Sequence, residues 1–235
     1  MSNANASARD RFRGFADRHA RFFRTLARNQ RREWVQAHRA EYEQGWLGPM
    51  KALLAEVRDR LDPVYPRHAL AAPKVFLIHR DVRFSKDKSP YKTHIAGLVA
   101  LDGGAGGPAD VAPLYLHVGA TDRFVAAGQY MMDPAQLARF RAAVLDDVRG
   151  ARLATILAAL ARGGFEVGSH DLLQKVPRGI DPAHPRAAIL RRKGLIVSFP
   201  ALPRELLVTG RLTGWLVRHA TRTAPLVEWL AAVGE

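Results

Sequence analysis

A short segment in the first half of the sequence concentrates the side-chain types that bind anions. Between residues 80 and 92, basic, acidic and hydroxyl side chains follow directly on an apolar run that ends at Ile78. Arginine binds phosphate or carboxylate oxygens bidentately, lysine adds a point charge, and hydroxyls donate further hydrogen bonds. The segment 80–92, called the basic loop below, is therefore predicted to bind a phosphate or a carboxylate. Its predicted ligand-binding residues are Arg80, Arg83, Ser85, Lys86, Lys88, Tyr91 and Lys92.

Two carboxylates, Asp81 and Asp87, lie within the basic loop. In one interpretation they pair with Arg83, Arg80 or Lys88 and only hold an irregular connection in place. In the other they move protons in an enzyme that acts on a phosphorylated or nucleotide substrate. Because a carboxylate close to several cations stays ionised, it suits a structural partner or a metal ligand better than a general acid. The residues therefore favour a binding domain, with the enzyme as the alternative.

A second, proline-rich segment presents an arginine and a histidine. Pro177 fixes its own backbone dihedral and Gly179 permits conformations closed to other residues, so Arg178 is held on a stiff segment. We expect Arg178 and His184 to face the basic loop and to form a second wall of the same pocket, with His184 as a further candidate for proton transfer. The alternative is a proline-rich turn whose polar groups satisfy only the local backbone.

The histidines at positions 79, 94, 117 and 184 raise the question of a metal centre. His79 and Asp81 fall on the same side of a predicted strand, but the sequence contains no His-Glu-x-x-His motif. A metal cation beside the basic loop would be repelled unless carboxylates intervened. We therefore predict no metal site and expect these histidines to be hydrogen-bonded structural residues.

Motifs for nucleophiles and cofactors are missing from the sequence. There is no cysteine and no Gly-x-Ser-x-Gly turn, and a Ser85–lysine arrangement is the weakest catalytic alternative. Neither Gly-x-Gly-x-x-Gly nor a phosphate-loop motif is present, which argues against a Rossmann or P-loop fold. The sequence therefore points to no catalytic residue and to no particular cofactor.

The balance of charges is strongly basic. The 235 residues carry a formal net charge of +14, and most of the 36 basic residues are arginines. Such a charge favours association with polyanions, and the arginine-rich region 9–39 contains aromatic residues that could stack on bases. Aromatic residues at helical spacing are more often core, with the arginines on a solvated face. A nucleic-acid partner is therefore a weaker prediction than an anionic small molecule.

Composition also bounds the class of protein. A hydrophobic fraction of 48% is typical of a folded domain rather than a disordered chain. No apolar run reaches the about 18 to 20 residues that cross a bilayer, and no signal-peptide pattern opens the chain. We expect a soluble, cytoplasmic protein with no membrane association, and the sequence indicates no particular oligomeric state. Residues 1–14 are predicted to form a disordered basic tail, and residues 15–235 a single domain.

Helical periodicity dominates the N-terminal quarter of the chain. Aromatic and apolar spacing predicts helices over 15–28 and 31–46, and Pro49 begins a third helix that ends near Leu61. These three helices should form a small antiparallel subassembly.

From Lys74 the pattern changes to short apolar runs that are typical of strands. The predicted strands are residues 75–78, 93–101, 114–118, 124–128, 165–167 and 195–199. Most of them are joined without an intervening helix, which implies an antiparallel sheet. Further helices are predicted from Asp133–Pro134 and over 151–162, and two more over 203–231. The predicted fold class is α+β, an antiparallel sheet with an N-terminal helical subassembly and further helices packed on it.

The basic loop carries a motif that resembles a known family. Residues 80–93 read Arg-Asp-x-Arg-Phe-Ser-x-Asp-Lys-Ser-Pro-Tyr-Lys-Thr, which is similar, without departure at the fixed positions, to the signature of the uncharacterised domain of unknown function 2461 family. An early Asn-Asn-x-Arg-x-Trp-Phe motif is matched in part, because Gln30 and Val35 replace the second Asn and the Phe. The later Lys-x-x-Pro-Arg-Gly motif is matched in its Pro-Arg-Gly part at residues 177–179, with Lys175 one residue closer to the proline. The resemblance covers roughly residues 20–232 and implies the α+β fold, but it assigns no catalytic residue, substrate or cofactor.

Overall fold

A computed structural model of the chain describes residues 11–81, 83, 87–103 and 111–234. Within them lie N-terminal helices, an antiparallel sheet and further helices packed on the sheet, which confirms the predicted α+β class. Ser85 and Lys86, two of the predicted ligand-binding residues, lie outside the described residues. No helix among the described residues has the length and apolar character that crossing a membrane requires.

The N-terminal helical subassembly consists of more and shorter helices than the sequence periodicity predicts. Its helices are α1 (Arg21–Arg28), α2 (Arg32–Ala37), α3 (Arg39–Tyr42), a π-helical turn (Glu43–Leu47) and α4 (Gly48–Leu61). The predicted continuous helix over 31–46 is thus broken at His38, whose imidazole bonds the Trp34 carbonyl at 2.8 Å. In the π-helical turn, Trp46 is fully buried between the rings of Phe15 and Phe23, at centroid distances of 5.3 and 4.9 Å. Aromatic packing therefore sets the path of the chain here.

The sheet has six strands, in the spatial order β1-β2-β3-β4-β6-β5. The strands are β1 (Lys74–Val75), β2 (His94–Val99), β3 (Val111–Gly119), β4 (Arg123–Gln129), β5 (Glu166–Gly168) and β6 (Leu195–Ser198). All neighbouring strands are antiparallel. The predicted strand over 75–78 keeps only its first residue in β1, because Phe76 makes the last backbone bond to β2 and Ile78 and Arg80 then bond to residues 92 and 90 of the basic loop.

The remaining helices cover one face of the sheet. They are α5 (Pro134–Leu145), α6 (Asp147–Arg162), α7 (Ala187–Leu190) and α8 (Arg211–Gly234), with a short 3-10 helix at Arg204–Val208. The predicted helix start at Asp133–Pro134 is confirmed, and Asp133 forms a reciprocal capping box with Gln136. Helix α8 packs on β3 and β4 and also contacts α4, α5 and α6, so it is the central helix of the core.

Alternation along the strands separates a helix-covered face from an open face. A Cβ at Gly97 would meet the Leu54 side chain of α4, so odd-numbered residues of β2 face the helices. His94, Ala96 and Leu98 therefore point to the other face. Cross-strand partners share a face, which adds further residues to this open face. These are Tyr115, His117, Phe124, Ala126 and Ser198.

Candidate anion-binding site

The basic loop has a stem in which residues 78–80 pair with residues 90–92, and this stem is tied to the rest of the protein. The backbone N–H of Arg80 donates to the Pro90 carbonyl at 2.9 Å, and that of Lys92 donates to the Ile78 carbonyl at 2.7 Å. The Gln30 side chain accepts a hydrogen bond from the Tyr91 N–H at 3.0 Å, which links the loop to the helical subassembly. The backbone at residues 80 and 92 is thereby held in place on two facing segments.

Carboxylates within the basic loop pair with its arginines, as the structural interpretation predicts. Asp87 lies 3.0 Å from the Arg80 guanidinium, and Asp81 accepts from Arg83 at 3.0 and 2.7 Å. Bonds from Arg83 lower the pKa of Asp81, and bonds from the Ser89 hydroxyl and N–H lower the pKa of Asp87. Both groups are therefore held as carboxylates, which does not suit a general acid.

Arg80 and Lys92 form a close pair of cations at the stem. Burial, and then the charge of Arg80, lower the pKa of Lys92. The Lys92 ammonium donates to the Leu77 carbonyl at 3.0 Å and lies 5.8 Å from the centre of the Phe76 ring. Lys74 lies over the same ring at 5.4 Å. Lys74 and Lys92 therefore both lie over Phe76, and the charge of Arg80 acts on Lys92 from the neighbouring strand of the stem.

Rings on the open face continue from Phe76 across the strands. Phe76 and Tyr115 lie 6.2 Å apart between centroids, Tyr115 and Phe124 5.8 Å, Phe124 and His117 4.8 Å, and His117 and His94 4.1 Å. We call these five residues the open-face cluster. These residues come from β2, β3, β4 and the segment after β1, and the pairing of the strands brings them together. The cluster forms a ring-lined surface beside the cations of the loop stem.

His94 is the most strongly shifted histidine of the open-face cluster. Burial lowers its pKa from 6.5 to about 4, and the charges of His117, Lys92 and Arg80 act in the same direction. The ring is therefore neutral near pH 7 and adds no repulsion to the loop cations. A neutral imidazole can still donate one hydrogen bond and accept another.

His117 belongs to a hydrogen-bonded chain that ends at Asp122. The Asp122 carboxylate accepts from His117 Nε2 at 3.3 Å, so Nδ1 is free to accept from the Tyr115 hydroxyl at 3.5 Å. Burial lowers the pKa of His117, and Asp122 opposes that change. Asp122 thus orients a buried histidine on the open face.

The other predicted site residues have separate surroundings. Lys88 is exposed, and Tyr91 is buried with its ring 5.2 Å from that of His79. Arg178 is exposed in a turn, and His184 Nδ1 accepts from the Arg186 N–H at 3.1 Å. The expectation that Arg178 and His184 share a pocket with the basic loop stays a prediction.

The sequence did not predict the open-face cluster as a site. It predicts His94 and His117 to be hydrogen-bonded structural residues, with metal binding as the alternative, and Phe76, Tyr115 and Phe124 to be strand residues. The described residues contain no group of three or more His, Cys, Asp or Glu side chains that could hold a metal ion. The alternation of β2 and β3 was the usable signal, because it places His94, Tyr115 and His117 off the helix-covered face.

With the fold and this site in view, the comparisons with known proteins identify a family. The family model described as a conserved hypothetical protein (DUF2461) matches residues 18–229. The chain therefore belongs to this α+β family, which is the family that the basic-loop motif resembles. A comparison with curated proteins finds no match.

Proposed function

We propose that this protein is a binding domain for a small molecule that carries a phosphate or a carboxylate next to a planar or apolar group. The observation that carries the proposal is the juxtaposition of Arg80 and Lys92 with the rings of the open-face cluster. The charges would bind the anionic group, and the rings would pack on the rest of the ligand.

An excess of positive charge at the loop stem supports the anionic half of the ligand. Arg80 and Lys92 repel each other and lie near Lys74, whereas Asp87, which pairs with Arg80, is about half exposed. The buried Nε of Arg80 has no hydrogen-bond partner among the described residues. A bound oxyanion would offset this charge and accept charge-assisted hydrogen bonds from both side chains.

Exposed apolar surface near the cations supports the proposal that part of the ligand is planar or apolar. Phe124 is 40% exposed, and Leu77, whose carbonyl accepts from Lys92, is 76% exposed. Aromatic side chains stack favourably on flat ring systems, and Tyr115 lies between Phe76 and Phe124. Aromatic acids and nucleotides combine these two features, which makes them the first ligands to test.

A thermal-shift screen tests the proposal. Phosphates, nucleotides, aromatic and aliphatic carboxylates and short oligonucleotides are added to the wild type and to the Lys92→Met and Arg80→Gln variants. A small-molecule ligand at about 100 times its Kd adds about 2.7 kcal/mol to the free energy of unfolding, and the variants should lose most of that gain. The Lys51→Ala variant, which removes an exposed charge from α4, is the matched control and should respond like the wild type.

Two results would refute this function. In the first, no anion raises the Tm of the wild type. In the second, a ligand stabilises the wild type, Lys92→Met and Lys51→Ala by equal amounts, so binding ignores the loop stem. Arg178→Ala and His184→Ala, assayed with the same ligand, test the second wall: weaker binding in both supports a shared pocket, and unchanged binding limits the site to the loop stem and the open face.

An enzyme acting on a phosphorylated or nucleotide substrate is the second candidate, favoured by the Tyr115–His117–Asp122 chain. An imidazole oriented by a carboxylate is a common general base, and such bonds are often long before substrate binds. In this case His117 would take a proton from a substrate hydroxyl or from water. Product formation from a ligand found in the screen, lost in His117→Gln while binding persists, would support it. Binding without any product would leave only the binding domain.

A further inference from the structure

A small cleft lies at one end of the sheet, where the β3–β4 turn meets the N-terminal segment and the 3-10 helix. Its walls include the turn residues 119–123 and the start of α1. Four arginines from three separate parts of the chain line it: Arg18, Arg24, Arg123 and Arg204. None of them belongs to the basic loop or the open-face cluster.

Two of these guanidinium groups are anchored by the protein backbone. Arg24 Nε donates to the Ala120 carbonyl at 3.1 Å, and Arg123 Nε donates to the Leu202 carbonyl at 2.7 Å. Among the described residues, no other acceptor is bonded to either group. Anchoring through Nε therefore fixes the position of each guanidinium and leaves its two terminal nitrogens to bind an oxyanion.

Charge in the cleft is poorly balanced. Burial, and then the charge of Arg204, lower the pKa of Arg123, while Glu205 opposes this change. Asp122 is the carboxylate in the cleft wall, and it bonds to His117 on the open face. Within the described ranges, none of the four arginines forms a salt bridge, whereas arginines elsewhere do, as Arg60 does with Glu56 at 2.6 Å.

The backbone before α1 is bent in a way that places two arginines at the cleft. Ala20 has φ 51° and ψ 44°, a left-handed conformation that is costly for a residue with a side chain. It is buried, and it separates Arg18 from the helix that carries Arg24. The core therefore holds the chain in an unfavourable conformation at the position where both arginines reach one cleft.

We propose that this cleft is a second anion site and that it binds a phosphate group of a small phosphorylated molecule. Several guanidinium groups converging from different sides suit a tetrahedral phosphate better than a planar carboxylate, because each can take separate oxygens. The four arginines surround one small cleft rather than forming a line along the surface, which suits a compact anion better than an extended strand. This proposal does not depend on the proposed function, because it uses none of the loop-stem cations.

Isothermal titration with inorganic pyrophosphate, at low ionic strength, tests the site. The Arg18→Ala/Arg204→Ala double variant should bind at least about tenfold more weakly than the wild type, because it loses two charge-assisted partners. Neither side chain bonds to the described backbone, so this variant should fold normally. Arg123→Lys keeps the charge but loses the planar guanidinium that can donate two parallel hydrogen bonds, so it should also weaken binding.

The matched control is Arg139→Ala/Arg152→Ala, which removes the same two charges from exposed positions of α5 and α6. It should bind pyrophosphate like the wild type. The Arg18→Ala/Arg204→Ala change should weaken binding by the same factor whether or not Lys92→Met is also present, which separates this site from the loop stem. Equal weakening by the cleft and control variants would overturn the proposal, since general charge would explain it. Tight binding of a single-stranded oligonucleotide that needs the cleft, without binding of pyrophosphate, would also overturn it.

Discussion

Among single residues, His94 gives the open face a pH dependence that can be measured. Its pKa is about 4 in the folded protein and 6.5 ordinarily, so the unfolded chain binds more protons between these values. The free energy of unfolding should therefore be level above about pH 6.5 and fall as the pH drops towards 4. Chemical denaturation at a series of pH values measures this, and His94→Phe should have a flatter profile. The expected difference is about 1 to 2 kcal/mol at pH 4, because a partly exposed ring loses less than the full shift implies.

His79→Phe is the matched control for that experiment. His79 is exposed and lies outside the open-face cluster, so its replacement removes a histidine without changing the surroundings of His94. If His94→Phe loses stability at low pH as steeply as the wild type, the charges around His94 do not act as described. His117, whose pKa burial also lowers, contributes in the same direction and should leave a residual slope in the variant.

Residue types in the basic loop were sufficient to predict its ion pairs but not its surroundings. Asp81 with Arg83 and Asp87 with Arg80 are close in sequence, so a local reading can anticipate them. Alternation can place Tyr115 on the open face, but its contact with Phe76 depends on the register between strands that are distant in sequence, which no local pattern encodes. The charged residues of the candidate site and their ion pairs could therefore be predicted from the sequence, whereas the contacts among its rings could not.

At the scale of secondary-structure elements, the pairing of β4 with β6 depends on Gly128. This residue has φ 122°, a conformation that side chains rarely adopt, and a Cβ there would collide with the Leu195 carbonyl of β6. We expect Gly128→Ala to lower the free energy of unfolding by about 2 kcal/mol or more, since strain adds to the lost pairing. Urea denaturation measures the change.

Gly214→Ala provides the opposite result as a control. Gly214 lies inside α8, and a Cβ there would meet no atom within 4 Å. Alanine favours the helix by about 1 kcal/mol over glycine, so this variant should be as stable as the wild type or more stable. Equal loss of stability in the two variants would show that the backbone conformation at Gly128 is not the cause.

Elements with a strong local signal were the ones predicted well. Asp133 and Pro134 gave the start of α5 because a cap and a fixed φ act within one turn of helix. The strand expected over 75–78 was mostly absent, because a ladder needs a partner at the right distance and the chain leaves β2 after Phe76. The helix expected over 31–46 is broken at His38 and becomes π-helical over Glu43–Leu47, where the burial of Trp46 outweighs regular helical spacing.

At the scale of the whole molecule, the buried side chains form one continuous core, as expected if residues 15–235 fold as a single domain. One cluster of buried side chains runs from Phe12 to Val233 and includes both the N-terminal helices and the sheet. Phe12, which falls within the predicted tail, is buried against Phe15 at a centroid distance of 5.3 Å. The Phe15 N–H also donates to the Leu207 carbonyl at 2.7 Å, which ties the start of the described chain to its C-terminal third.

A continuous core predicts one cooperative unfolding transition for the entire chain. Trp46 in the helical subassembly and Phe140 in α5 are both fully buried, and truncating either one to alanine should cost about 3 to 5 kcal/mol. Each variant should shift the same single calorimetric peak to lower temperature, with equal calorimetric and van't Hoff enthalpies. A separate early transition in Trp46→Ala, with the main peak unmoved, would mean that the helical subassembly unfolds on its own. In that event Gln30 could not hold the basic loop against an intact sheet, and ligand binding at the loop stem would be lost together with the early transition.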